Sequence, residues 1–166
     1  MDWITILERC IWFGSAALGF AILFNVPPRT LLIIWLLGAI GGFVKLNMLN
    51  LELGPVLASF LGASVIGLLS IPAAHNKHAP PLVFSIPAVI PMVPGVFFYR
   101  MMLGFIKLTG DIGDSYNQVL SETVNNGVKA LFILMALAVG VGIPNFITRK
   151  ESAKEIKIKK KRSAIA

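Results

Sequence analysis

Charge is what this sequence has least of. Asp, Glu, Lys and Arg make up only 14% of its 166 residues, against about 25% in a soluble domain. Hydrophobic residues make up 56%, and the mean hydropathy is +0.79. So little charge excludes a water-soluble globular domain, and so much apolar surface excludes disorder. The single Cys10 excludes an intramolecular disulfide framework and a cysteine zinc site. No Walker sequence, HExxH, Ser/His/Asp set or pair of membrane aspartates occurs, so neither nucleotide hydrolysis nor other catalysis is expected. The chain reads as a non-enzyme without cofactor. His75 and His78 flank Lys77 in a short loop without a nearby carboxylate, and no metal site is expected there. A basic n-region is missing as well, so the first hydrophobic stretch is expected to stay in the mature protein.

The charge that is present is unevenly spread. Residues 149–162 hold eight Lys/Arg and two Glu, whereas residues 1–148 hold seven Lys/Arg and six Asp/Glu. The net +7 is therefore largely a basic tail on a nearly neutral apolar body, and nucleic acid is not its expected partner. The domains divide accordingly into a membrane domain, 1–148, and a basic cytoplasmic tail, 149–166. The tail lacks apolar periodicity and is expected in solvent or on the anionic inner leaflet.

Stretches without charge locate the spans. Nineteen uncharged residues separate Arg9 from Arg29, 24 separate Glu52 from Lys77, 22 separate Lys77 from Arg100 and 19 separate Lys129 from Arg149. Each approaches the roughly 20 residues that a spanning helix needs. The 15 residues between Arg29 and Lys45 are too few, unless Lys45 snorkels and the helix runs on through Leu51. Lys45 and Asn47 otherwise mark a helix end. The expected fold is all-α: a polytopic integral membrane helix bundle of five transmembrane helices, alternatively four, with a Pro-broken fourth segment. Excess Lys/Arg marks the cytoplasmic side. This places the C-terminus, the Arg29 turn and the Lys77 loop inside the cell. Thr109–Asn126 reads as the longest polar loop. Small residues four apart (Ser15/Gly19, Gly38/Gly42, Ala58/Gly62, Ala63/Gly67, Ala136/Gly140) offer faces for close helix packing.

The stretch PPLVFSIPAVIPMVPGVFFYRMMLGFI, Pro80–Ile106, is the most informative. Pro87, Pro91 and Pro94 fall within one hydrophobic span. Each removes an N–H, so the carbonyls of Val83, Pro87 and Ile90 lose their helical partners, all on one face. Pro94-Gly95 breaks the segment and suits a restart over Val96–Ile106, whose N-terminus carries a positive dipole end. Irregular backbone at membrane depth requires protein or a watered cavity to cover it. In transporters, such half-helix ends face anionic substrates. A small carboxylate is the expected ligand, with Tyr99 and Arg100 on the restarted half. Arg100 either pairs with that carboxylate or snorkels to an interface. Asn25, before Pro27-Pro28-Arg29, either ends the first helix or faces the pathway. Glu122, Asn125, Asn126 and Lys129 share one helical face leading into the last span. That face lines a cavity or is the wet side of an interfacial helix.

GFAILFNVPPRTL (Gly19–Leu31), GAIGG (Gly38–Gly42) and IPAVIPMVPGVFFYRMM (Ile86–Met102) resemble the bacterial threonine/serine exporter family. The likeness is to the small membrane subunit of its split, two-component succinate-exporter type, and covers most of residues 10–147. It implies a secondary exporter linked to the proton-motive force in the bacterial inner membrane. The implied substrates are threonine, serine or succinate-like dicarboxylates. The resemblance also implies a second membrane subunit matching the N-terminal half of single-chain members, or self-association into a homo-oligomer. The alternative is a non-transporting scaffold that stabilises a partner membrane protein; failure of the chain to bind substrate would favour it.

Overall fold

The computed structural model describes residues 3–110 and 113–163, with side chains described as far as residue 144 except at 114. Among the described residues six α-helices make up the fold: α1 (Trp3–Leu23), α2 (Leu31–Asn50), α3 (Pro55–Lys77), α4 (Pro81–Val89), α5 (Gly95–Leu108) and α6 (Tyr116–Ser163). Short 3-10 turns precede α2, α5 and α6, and the described residues contain no strand. The expected all-α architecture is thus present.

One device ends the first three helices. Asn25, Glu52 and His78 adopt left-handed backbone conformations, with φ of 55°, 59° and 50°. The amides of Val26, Leu53 and Ala79 then reach back five residues to the carbonyls of Ala21, Met48 and Ala74 at 3.0, 3.1 and 3.2 Å. This closure satisfies carbonyls that a helix end would leave bare. A proline follows within three residues each time and opens the next helical element, where its missing N–H costs nothing.

Helices α1, α2, α3 and α6 carry spans long enough to cross a bilayer. The two rods Pro81–Met92 and Gly95–Leu108 are bent by 50° and pass the same test as a pair. Among the described residues the bundle therefore has four helices long and apolar enough to cross a membrane, or five if the bent pair is a single span. Helix α2 reaches its length by running straight through Lys45, which stands inside the helix and not at its end. Asn47 also lies within it and donates Nδ2 to the Phe43 carbonyl at 2.8 Å. Other expectations need correcting too. Residues 116–126 are helix and not loop, because α6 starts at Tyr116. His75 and Lys77 occupy the last turn of α3. The restarted half-helix begins one residue early, at Gly95. Backbone helix continues through the basic tail to Ser163; the tail's side chains and its last three residues lie outside the described ones. At 48 residues, α6 is roughly 70 Å long, far more than a bilayer core of about 30 Å.

Helix α1 packs on α2, α2 on α3, α3 on α6 and α5 on α6, while α4 wedges among α1, α2 and α3. Of the five small-residue pairs, four are buried at these crossings; Ser15 and Gly19 face outward. Gly140 shows the need for small residues. A Cβ there would lie 2.9 Å from both the Ala63 Cβ and the Phe60 carbonyl oxygen. Overpacking of this kind costs about 1–3 kcal/mol, so Gly140→Ala should lower the melting temperature in detergent by several degrees. Gly19 has nothing within 4 Å of such an atom, and Gly19→Ala should leave the melting temperature unchanged.

Candidate functional site

The broken segment runs through the middle of the bundle. Phe84, Ser85, Pro87, Ala88 and Met92 are all buried. After Val89 the chain tightens into the turn Ile90–Met92, becomes extended at Val93 and re-enters helix at Gly95. The three prolines dictate this path, since each withholds the N–H that a continuous helix would use. The half-helix start is more self-contained than its sequence implies. Val93 N–H donates to the Ile90 carbonyl at 3.0 Å and Gly95 N–H to Val93 at 2.9 Å. The Phe97 and Phe98 amides both turn to the Pro94 carbonyl, at 3.1 and 3.2 Å. One long-range bond reaches the break: Lys45 Nζ donates to the Met92 carbonyl at 2.9 Å.

Sequence reasoning about the span ends missed this role of Lys45. A lysine in an apolar run looks like a boundary, yet here its long stem carries the ammonium inward to a carbonyl. Two hydroxyls add unused polarity to the bundle interior. Ser59 on α3 and Ser85 on α4 are buried without a hydrogen-bond partner among the described residues. Buried polar groups are seldom left so.

A cavity of about 420 Å³ opens between α5 and α6. Helix α5 contributes Arg100, Leu103, Gly104 and Lys107, at offsets 0, 3, 4 and 7, which is one helical face. Helix α6 contributes Val119, Glu122, Thr123, Asn125 and Asn126. Gly104 draws the helices together, because its missing side chain leaves room for Thr123. Thr123 Oγ1 is held in place by donating to the Val119 carbonyl at 2.6 Å.

The charges that line the cavity stand at exposed positions. Arg100, Lys107 and Glu122 share one space, yet among the described residues no ion pair forms between them. Glu122 Oε1 accepts only a long 3.4 Å bond from Gln118 Nε2. Asn126 Nδ2 is occupied by the Glu122 backbone carbonyl at 2.8 Å, leaving its amide oxygen open. Two cationic donors, one carboxylate and two amides thus converge on a volume suited to a small polar solute.

The structure brings together Arg100, Glu122, Asn125 and Asn126, which the sequence could only assign to separate elements. It adds Lys107, readable in hindsight from its offset of seven from Arg100. Lys129 is half-buried farther along α6 and Tyr99 is exposed; neither lines the cavity. Asn25 is exposed and closes α1. Pro87 and Pro94 are buried along the break, Gly95 is exposed, and Pro91 borders a second, shallower groove. That groove, of about 280 Å³, is formed with Arg9, Trp12, Phe13 and Ala16 of α1. No group of three His, Cys, Asp or Glu side chains able to hold a metal comes together among the described residues.

Comparison with known proteins agrees with this architecture. A family model described as "Threonine/Serine exporter, ThrE" matches residues 9–147. An uncharacterized protein of Haemophilus influenzae is 33% identical over 144 residues, which are 86% of this chain and 47% of that protein. The chain thus spans about half the length of this curated relative. No solved structure matches.

Proposed function

The chain belongs to the threonine/serine exporter family, and from that premise we propose that it is the membrane subunit of a secondary exporter of small carboxylate-bearing metabolites. The observation that carries this reading is the cavity that Arg100, Lys107 and Glu122 line together without an ion pair among the described residues. The fork of Arg100 takes the solute's carboxylate, because a guanidinium matches that anion with two parallel hydrogen bonds. Lys107 adds a second positive charge. Glu122 takes the ammonium group of an amino acid, and the Asn125 and Asn126 amides take a side-chain hydroxyl. This set fits threonine or serine better than succinate, whose second carboxylate would meet Glu122.

The membrane is the bacterial inner membrane, with the C-terminus in the cytoplasm, because the Lys/Arg excess lies there. With the bent pair as one span, the α5–α6 cavity opens toward the outer face. The bend between α4 and α5 serves as the hinge of alternating access. Acidic groups that could couple transport to protons are few: Glu8, Glu52 and Glu122. A second membrane subunit supplies the coupling group and corresponds to the remaining half of the longer relative.

Efflux of labelled threonine and of labelled succinate, from cells with and without the chain and its partner, tests this reading. Export should require both polypeptides, with threonine leaving faster. Equal efflux without the chain refutes it. At the hinge, Pro94→Ala/Gly95→Leu should extend the helix through the bend and cut efflux about tenfold at equal membrane abundance. Unchanged efflux in that variant would remove the bend from the mechanism.

A further inference from the structure

Lys45 takes no part in the α5–α6 cavity. It is the sole charged residue from Leu31 to Leu51, inside a helix apolar enough to span a membrane. Its ammonium is held by a neutral carbonyl, that of Met92, and no carboxylate pairs with it among the described residues. A methionine would fill much the same volume without a charge to strip of water, so stability alone does not call for lysine. Charged groups kept inside a membrane at such expense mark working parts.

The carbonyl that Lys45 holds lies at a mechanical junction. Met92 ends the turn that follows α4, Val93 and Pro94 cross the gap, and α5 departs at 50°. On one side of the gap α4 is packed on α1, α2 and α3; on the other α5 is packed on α6. Gly62 of α3 completes the junction. A Cβ there would collide with the Met92 methyl and lie 3.4 Å from the Lys45 Cβ. Lysine, turn and glycine therefore meet at one point, and the Lys45 bond ties α2 to the hinge. Arg100 lies five residues beyond Gly95 on the rod that the hinge carries.

We infer that Lys45 is a positioning residue of the transport step: its ammonium clamps the hinge through the Met92 carbonyl and releases it when α5 swings, moving Arg100. The swing rests on the transport reading; the clamp itself does not.

The test uses the full chain, with its partner present, in a Cys10→Ala background with Met92→Cys as reporter; the side chain at 92 is buried while the hinge is closed, and the carbonyl that Lys45 holds is kept. Maleimide labelling in membrane vesicles reads how often the hinge opens. Lys45→Met should raise the labelling rate about fivefold and lower threonine efflux about tenfold. Its melting temperature in detergent should be unchanged or higher. Lys45→Arg, which keeps a long cationic donor, should retain roughly half or more of parental efflux and near-parental labelling. The inference is overturned if Lys45→Met keeps the parental labelling rate. It is also overturned if labelling rises while efflux stays parental, or if Lys45→Met loses stability, which marks a structural role alone. If the parent exports no threonine, the transport reading fails separately, and the labelling ratio still decides whether the clamp exists.

Discussion

Arg100→Gln should bring threonine efflux down about 100-fold at equal membrane abundance, because a charge-assisted bond contributes about 1.5–3 kcal/mol and every 1.4 kcal/mol is tenfold. The estimate takes the upper part of that range, since the guanidinium offers two parallel donors. Arg100→Lys should fall less, about tenfold, because it keeps the charge and loses the fork. Lys107 stays in the cavity in both variants, so attraction for anions persists and the loss is one of orientation. Glu122→Gln separates substrates. It removes the acceptor for an amino acid's ammonium and the repulsion against a second carboxylate. The ratio of threonine to succinate efflux should therefore shift toward succinate. Initial rates from preloaded cells measure all three. Parental rates in Arg100→Gln would show that the cavity is not where the solute binds.

How much of this could be read from the sequence depends on where each piece of information lies. The spans were legible because solvation imposes them locally: a charge-free run of about 20 residues has few alternatives. The break was legible for the same reason, since Pro87, Pro91 and Pro94 act on their own backbone carbonyls wherever the chain goes. The partner of Lys45 was not. The five-span reading already lets the helix run on past Lys45 toward Leu51, as α2 does, but along the chain the ammonium reads as snorkelling outward, and its turn inward depends on Met92 arriving from another segment. The cavity was half legible. The Glu122/Asn125/Asn126 face follows from helical spacing, and Arg100 stood out as a charge beside the break. Nothing in one sequence says that α5 folds back along α6 to bring the two together. Residues 116–126 read as loop because their polarity is high; the structure makes them the first turns of α6 and so the rigid wall of the cavity.

Gly104→Leu should disable the protein more completely than any change of charge. Gly104 is the one buried residue of α5, and even a Cβ there would overlap Thr123. Thr123 cannot step aside cheaply, because its hydroxyl is bonded to the Val119 carbonyl at 2.6 Å. Overpacking by a single methyl costs about 1–3 kcal/mol, so Gly104→Ala should lose efflux about tenfold. The branched side chain of leucine must force the helices apart. Helix α5 packs chiefly on α6, so no other wall would return Arg100 and Lys107 to face Glu122. Efflux should then fall to background while the α1–α4 core, which does not depend on this crossing, still assembles in the membrane. Thr123→Ala provides the check. It deletes the hydroxyl and methyl that meet the new Cβ but leaves its own Cβ 2.8 Å away, so Gly104→Ala/Thr123→Ala should recover part of the lost efflux. Full activity in Gly104→Ala would mean that α5 and α6 do not need this close approach, and that the cavity between them does not have the shape on which solute recognition depends.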